Sequence, residues 1–466
     1  MLLYRVHMCS KTGLSESKSW EFVKYRFFGL FFVSAMALSL VTAGCAPNSQ
    51  VNTTTANTGT ANTQPAPGNS NVAQAQPAAP AANDNTPITL PVLDAMFADE
   101  SFAGDLKSKA GLTDEQVSKL QQTARDAVLQ LDESDENAST KISTEKANEE
   151  IKKIVGDETK TKQVIDLARQ RWAGTGDESM LSGRPNAVPT DTRIVVNAPA
   201  YRMDIFKDGK LEKSYKVGIG YPEFPLPRGM RQAKTIIFNP AWTPPDEPWV
   251  KGKFAPGKKV EAGSKDNPLG PIKIPIGLPS LIHGGKNPAK LGTFASHGCV
   301  GLTNQGVEDF AQQIAQLGGS SLTLDDIKNY QKDKSKTQEM KLNDPVPVEL
   351  RYETIVVEDG KIHVYRDVYE LGTNTEENLQ KVLSAYDVNL DQLDPNVKQQ
   401  LMDALQTMAV DAKGNPVDEN DKKDSASDKK SKSGKITTTI KGKREIVIDV
   451  PQLAGKGYPA PVNLMG

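Results

Sequence analysis

Residues 283 to 304 read His-Gly-Gly-Lys-Asn-Pro-Ala-Lys-Leu-Gly-Thr-Phe-Ala-Ser-His-Gly-Cys-Val-Gly-Leu-Thr-Asn. The chain has 466 residues, four histidines and three cysteines, and this stretch holds His283, His297 and Cys299. A thiol attacks a carbonyl carbon well only as thiolate, so it needs a base or a local field that lowers its pKa. His283 lies 16 residues before Cys299, across a loop ending in Ser296-His297-Gly298-Cys299, and can fold back onto it. No Asp or Glu occurs between Asn267 and Val307, whereas Lys273, Lys286 and Lys290 do. The group that orients the imidazole is therefore expected to be a backbone carbonyl. The positive local charge is expected to favour thiolate and anionic substrate groups.

Metal binding is the competing chemistry, with His297 and Cys299 two apart and His283 as a third ligand. The absent carboxylates and the single cysteine leave it no obvious fourth ligand or supporting group. A plainer reading makes Cys299 a buried thiol in a glycine-rich turn and His283 a core histidine. Each residue taken alone suits that reading, but the combination does not.

His283-Gly284, followed by Asn287-Pro288, Gly292 and Ser296-His297-Gly298-Cys299, closely resembles the catalytic motif of the L,D-transpeptidases, the YkuD-like family that cross-links bacterial peptidoglycan. The resemblance extends through Ile194, Val217-Gly218-Ile219-Gly220 and Asn267-Pro268-Leu269-Gly270, over about residues 192 to 326. It implies Cys299 as nucleophile, His283 as base and the Gly284 carbonyl as its orienting partner. It also implies an oxyanion hole of N–H groups around Gly298 and Cys299, with His297 and Ser296 helping to position substrate, and no metal or organic cofactor. Many members carry Arg two residues after the cysteine. Here Gly301 stands there, and Lys286 or Lys290 is the candidate substitute for positioning substrate.

The implied reaction joins peptidoglycan stem peptides. Cys299 takes the acyl group of the third residue of a donor tetrapeptide, expels D-Ala, and passes the acyl group to an acceptor amine. Hydrolysis by water (an L,D-carboxypeptidase) or transfer to a protein amine uses the same nucleophile. A non-catalytic wall-binding tether with a vestigial site is the rival of another class, prompted by Gly301.

The elements that must position this motif follow from period and punctuation. Thr192 to Asn197, Tyr201 to Phe206, Leu211 to Val217 and Lys234 to Phe238 read as strands, with Asp208-Gly209 a hairpin turn. Residues 239 to 280, with Trp242 and Trp249, are too rich in Pro and Gly for regular elements. Asn304 is expected to cap a helix burying Val307, Phe310, Ala311 and Ile314 and ending at Gly318-Gly319. Leu322 to Leu324 and Val346 to Leu350 read as strands, and Asp359-Gly360 turns a hairpin between Thr354 to Val357 and Lys361 to Tyr365, where His363 reads as structural. Leu379 to Met408 reads as two helices broken near Asp394-Pro395, and Lys435 to Val450 as a terminal hairpin.

Upstream the period is helical. Thr113 and Gln116 form a capping box before Val117, Leu120, Ala124, Val128 and Leu131, and further helices run through Ile151 to Val155 and Val164 to Trp172. Residues 46 to 83 carry no charged side chain and read as a disordered tether. Before them, Lys18, Lys24 and Arg26 precede an apolar run of about 15 residues, short of the 20 or so that span a membrane, and then Thr42-Ala43-Gly44-Cys45. This is the order of a secretory signal, and its end resembles a lipobox in which Cys45 is lipidated. With Cys45 lipidated and Cys9 removed, Cys299 is the lone thiol of an exported, periplasmic or cell-envelope protein.

The expected fold is multidomain: a mostly-β catalytic domain (a β-sandwich or barrel with a capping helix) preceded by a small α-helical domain and followed by a β/α extension. The expected segments are 1–45 signal peptide, 46–88 tether, 89–180 helical domain, 190–350 catalytic domain, 351–410 extension, and 411–466 charged linker with terminal hairpin. Expected partners are peptidoglycan stem peptides and, through lipid, a membrane. With 56 basic against 58 acidic residues and a net charge of -2, no overall basic field argues for nucleic acid.

Overall fold

The computed structural model describes residues 86–131, 139–174, 178–243, 259–264, 266–277, 279–411 and 442–466. The expected leader, Cys45, residues 46–85 of the expected tether, Trp249 and nearly all of the 411–435 linker lie outside these residues. Among the described residues no helix is long and apolar enough to cross a membrane.

Five helices come first: α1 (Leu90–Met96), α2 (Glu100–Ala110), α3 (Asp114–Leu129), α4 (Thr140–Val155) and α5 (Glu158–Ala173). Each starts on a side-chain cap (Thr89, Asp99, Thr113, Ser139, Asp157) that accepts a first-turn N–H, and Thr113 with Gln116 completes the capping box. Leu93, Leu106, Leu120, Ala124, Ile151, Val164, Ala168 and Trp172 share one core.

The period then changes to two. The strands are β1 (Arg193–Asn197), β2 (Arg202–Lys207), β3 (Lys210–Lys216), β4 (Ile219–Gly220), β5 (Gly229–Phe238), β6 (Ile272–Pro275), β7 (Leu281–His283), β8 (Phe294–Ser296), β9 (Val300–Gly301) and β10 (Gln338–Arg351). Asp208 and Gly209 take φ of 49° and 78°, the left-handed pair that a tight hairpin turn demands. Eight strands form one sheet in the order β3-β2-β1-β10-β5-β6-β7-β9, and β4 pairs β8 separately. The large sheet curls until its ends meet: Gly218, just past β3, exchanges two backbone hydrogen bonds of 2.9 Å with Gly301 in β9. Helix α6 (Asn304–Leu317) fills the curl with Val307, Phe310, Ala311 and Ile314, and Phe310 meets Tyr215 edge to face at 5.7 Å.

A β/α extension follows. Strands β11 (Ile355–Glu358), β12 (Lys361–Tyr365) and β13 (Glu445–Asp449) form a second sheet, covered by α8 (Glu376–Ser384) and α9 (Pro395–Met408). A buried network fixes it to the first sheet: Arg202 bonds Asp204, Glu358 and the Pro459 carbonyl, while the Tyr458 hydroxyl donates to Asp204. The chain thus contains the expected mostly-β body, with helices before it and an extension after it.

Three local expectations are corrected. Leu322 to Leu324 is not a strand: Thr323 and Asp326 form a capping box that starts α7 (Leu324–Lys332). Thr303, not Asn304, caps α6, because its hydroxyl accepts the Gly306 N–H. The segment 239–280 does contain regular structure, since β6 pairs β5 and β7 despite its flanking prolines. The first half of the expected terminal hairpin lies outside the described residues; its second half, β13, pairs with β12, and Met465 then hydrogen-bonds along β3 at Ser214 and Lys216.

Phe310 is fully buried where α6 meets the sheet. Phe310→Ala should destabilise the protein by about 3–5 kcal/mol, read as a lowered urea midpoint, with loss of the active-site geometry that α6 supports.

Candidate active site

Sheet closure positions the motif. Strand β7 runs parallel to β9, with Ile282 opposite Val300 and His283 opposite Gly301. Cys299 lies one residue before β9, so its thiol faces the Leu281 N–H, which hydrogen-bonds it. His283 and Cys299 are thereby diagonal neighbours across one strand pair. The Ser296-His297-Gly298-Cys299 turn is locked by Ser296, whose hydroxyl accepts the Cys299 N–H at 3.0 Å and donates to the Cys299 carbonyl at 2.5 Å. Gly298 takes φ of 90°, a conformation that side chains rarely adopt.

His283 is 3% exposed, and its Nδ1 sits 2.7 Å from the Gly284 carbonyl oxygen. A proton on Nδ1 satisfies that carbonyl and leaves Nε2 with a lone pair, the form a general base needs. The next turn is held open by Asn304, whose side-chain oxygen accepts the Gly285 N–H at 2.7 Å. The Cys299 N–H, expected as an oxyanion donor, is instead occupied by Ser296 in this state.

Burial governs the electrostatics. Desolvation pushes the Cys299 thiol above its usual pKa, against the opposing effects of the Leu281 N–H and the Lys286 and Lys273 charges. The local lysines do favour thiolate, as expected, but their field is the smaller effect. The thiol keeps some exposed area, but protein encloses it on its other sides, and that loss of water outweighs the field. Burial, aided by Lys286, lowers His283 to about 3, while the Gly284 and Leu269 carbonyls pull it upward. His297 is lowered to about 3 for the same first reason, again with Lys286 contributing. The resting site holds a neutral thiol beside neutral imidazoles.

Lys286 lies against Gly301. A Cβ at Gly301 would lie 2.7 Å from Cγ and 2.8 Å from Cε of Lys286, so the lysine stem runs across the bare glycine. Lys290 is exposed and contributes to none of these shifts. His363 is remote from the motif and bonds Glu445 at 2.5 Å.

Other residues reach the motif without any signal in it. Tyr221 and Phe224 meet the His297 ring edge to face at 5.0 and 4.9 Å. Trp172, the penultimate residue of α5, lies beside Gly298, where an added Cβ would stand 3.7 Å from its ring. Pro222, Pro225 and Pro227 mark residues 221–228 as an ordered loop, but nothing local ties that loop to His297.

The histidine shifts set an acid dependence. A group whose pKa drops from 6.5 unfolded to about 3 folded contributes stability that is fully present above pH 6.5 and is lost as pH falls toward 3, where only the unfolded chain binds the proton. His283→Asn should therefore flatten the stability-versus-pH slope between pH 6 and 3.5 by up to about 1.4 kcal/mol per pH unit, read from urea midpoints.

Residues 191–348 match the family model described as YkuD, L,D-transpeptidase catalytic domain. A Bacillus subtilis (strain 168) protein named "Putative L,D-transpeptidase YqjB" is 27% identical over 152 residues, 31% of this chain and 78% of that protein. Among solved structures, an L,D-transpeptidase from Mycobacterium smegmatis is 16% identical with a TM-score of 0.21, over 34% of this chain and 58% of that one. The catalytic domain of the E. faecium L,D-transpeptidase is 19% identical with a TM-score of 0.20, over 35% of this chain and 98% of that one. The chain therefore spans less than two thirds of the Mycobacterium smegmatis protein's length. Residues 191–348 belong to the YkuD family of L,D-transpeptidase catalytic domains.

Proposed function

We propose that this protein is an exported L,D-transpeptidase that cross-links peptidoglycan stem peptides through an acyl-enzyme on Cys299. The observation that carries the reading is the β7–β9 register, which sets a buried, carbonyl-oriented His283 diagonal to a thiol at the head of β9. Because both groups rest neutral, the proton moves during attack rather than before it. His283 Nε2 takes the thiol proton as sulfur bonds to the carbonyl carbon of the donor's third residue. The same nitrogen returns that proton to the departing D-Ala amine, leaving a thioester. An acceptor side-chain amine then attacks the thioester, with His283 accepting its proton and passing it to the released sulfur.

Deferring ionisation has a use. A resting thiolate would be exposed to oxidation and to adventitious acylation, whereas a neutral thiol becomes nucleophilic only against a bound carbonyl. The Gly298 N–H remains the oxyanion donor in this scheme, and the Ser296 bonds fix the turn that presents it. His297 forms a pocket wall. Lys286, lying over Gly301, supplies the cation for a donor carboxylate, so the substitution at 301 relocates a charge rather than disabling the site. That arrangement favours an enzyme over a vestigial tether.

Purified protein incubated with disaccharide tetrapeptides tests the reaction. Dimers joined between third residues are expected, whereas tripeptides without dimers would mean that water is the acceptor. Cys299→Ala should abolish both products, and His283→Ala should slow acylation by about 10²–10⁴-fold.

The relocated charge has its own test. Lys286→Ala should raise KM for the donor with a smaller effect on kcat. Gly301→Arg alone should clash with the lysine stem and destabilise by about 1–3 kcal/mol. The double variant should regain stability and lower KM again, and a double variant no better than Lys286→Ala would show that the two positions do not exchange roles.

A further inference from the structure

The segment 221–228 crosses the active site as a strap. Its Tyr221 N–H donates to the Ser296 carbonyl at 2.8 Å, and its Tyr221 and Phe224 rings hold His297 from two sides. From behind, the strap hangs on helices that belong to a different core. The Thr140 hydroxyl, on the first residue of α4, donates to the Pro222 carbonyl at 2.8 Å. The Thr89 hydroxyl, which also caps α1, donates to the Glu223 carbonyl at 2.6 Å. Both threonines are buried, at 1% and 0% exposure. The far end of the strap is tied to the extension, where the Leu226 N–H donates to the Tyr369 hydroxyl at 3.2 Å.

A second anchor runs beside it. Arg231 is buried and donates to the Trp172 carbonyl at the end of α5 and to the Gly277 carbonyl at 3.0 Å. This clip holds the Trp172 ring next to Gly298, the residue before the thiol. The helical region therefore touches the motif at two separate points, His297 through the strap and Gly298 directly.

We infer that the helical region of residues 86–174 is one half of the active site, and that Thr140 and Thr89 are positioning residues that hold the strap, and through it His297, in the geometry the acyl donor meets. Losing one hydroxyl removes a tie on the strap's backbone and loosens the residues on either side of that carbonyl. Freed, the strap admits water to Cys299 and lets the His297 ring swing. Water restores the solvation the thiol lacks, and its reactivity toward a small alkylating agent rises. Reaction with a bulky acyl donor falls, because the pocket wall is no longer in place. These opposite effects separate positioning from mere scaffolding.

The inference rests on Cys299 as nucleophile, and the test keeps the two claims apart. Thr140 is the better site because it is not the cap of its helix, so Thr140→Val removes the strap bond and keeps the shape. The full chain, its Thr140→Val and Thr140→Ser variants, and Thr89→Ser are compared in two reactions mapped to Cys299 by mass spectrometry. One is acylation by imipenem, whose strained β-lactam carbonyl opens onto the thiol to give a thioester with no leaving group. The other is alkylation by iodoacetamide at pH 7.5, in which sulfur displaces iodide. Thr140→Val should acylate about fivefold more slowly, the size of one neutral hydrogen bond expressed as an equilibrium shift. It should alkylate faster than wild type at an unchanged melting temperature, and both serine variants should behave like wild type. A Thr140→Val protein that matches wild type in both reactions overturns the inference. A wild type that takes up no imipenem sinks the nucleophile reading instead, and alkylation alone then decides the strap.

Discussion

The parallel pairing of β7 with β9 is the constraint on which the rest of this molecule depends. It is a short contact, but it joins the last strand of the curled sheet to the strand that carries His283, and the reciprocal Gly218–Gly301 bonds close the curl at the same residue. Three consequences meet there. The thiol is delivered beside the imidazole, the glycine at 301 leaves room for the Lys286 stem, and α6 is seated immediately after the motif with Asn304 bracing the Gly285 turn.

Closure also excludes water, and that decides the electrostatics. Lysine charges alone would draw the thiol toward thiolate, yet desolvation acts the other way and is the larger effect on Cys299 and on both nearby histidines. The result is a site held neutral until a carbonyl arrives. This differs from an ion-pair resting state, in which a depressed thiol pKa supplies the nucleophile in advance. Here reactivity is linked to substrate binding.

What the sequence makes legible is whatever is local. The Asp208-Gly209 and Asp359-Gly360 hairpins, the capping box at Thr113 and the helical run through Phe310 depend on neighbours a few residues away, and they stand where the pattern puts them. Leu322 to Leu324 misleads because three residues alternate like a strand while the capping pair Thr323 and Asp326 governs the backbone. Strand β6 is hidden because Pro271 precedes it and Pro275 ends it, which reads as punctuation rather than as a strand. The strap is invisible for another reason: its hydroxyl partners lie 134 and 82 residues from the carbonyls they bind. The motif itself announces its chemistry, but the burial that sets its protonation state belongs to the whole fold.

The central claim is that Cys299 carries the acyl group. Wild-type protein mixed with a disaccharide tetrapeptide donor, without acceptor, and quenched in acid within its first turnovers should gain the mass of the donor less D-Ala, and peptide mapping should place that mass on Cys299 as a hydroxylamine-sensitive thioester. No adduct in the presence of measurable turnover, or an adduct mapped to any other residue, would contradict the account.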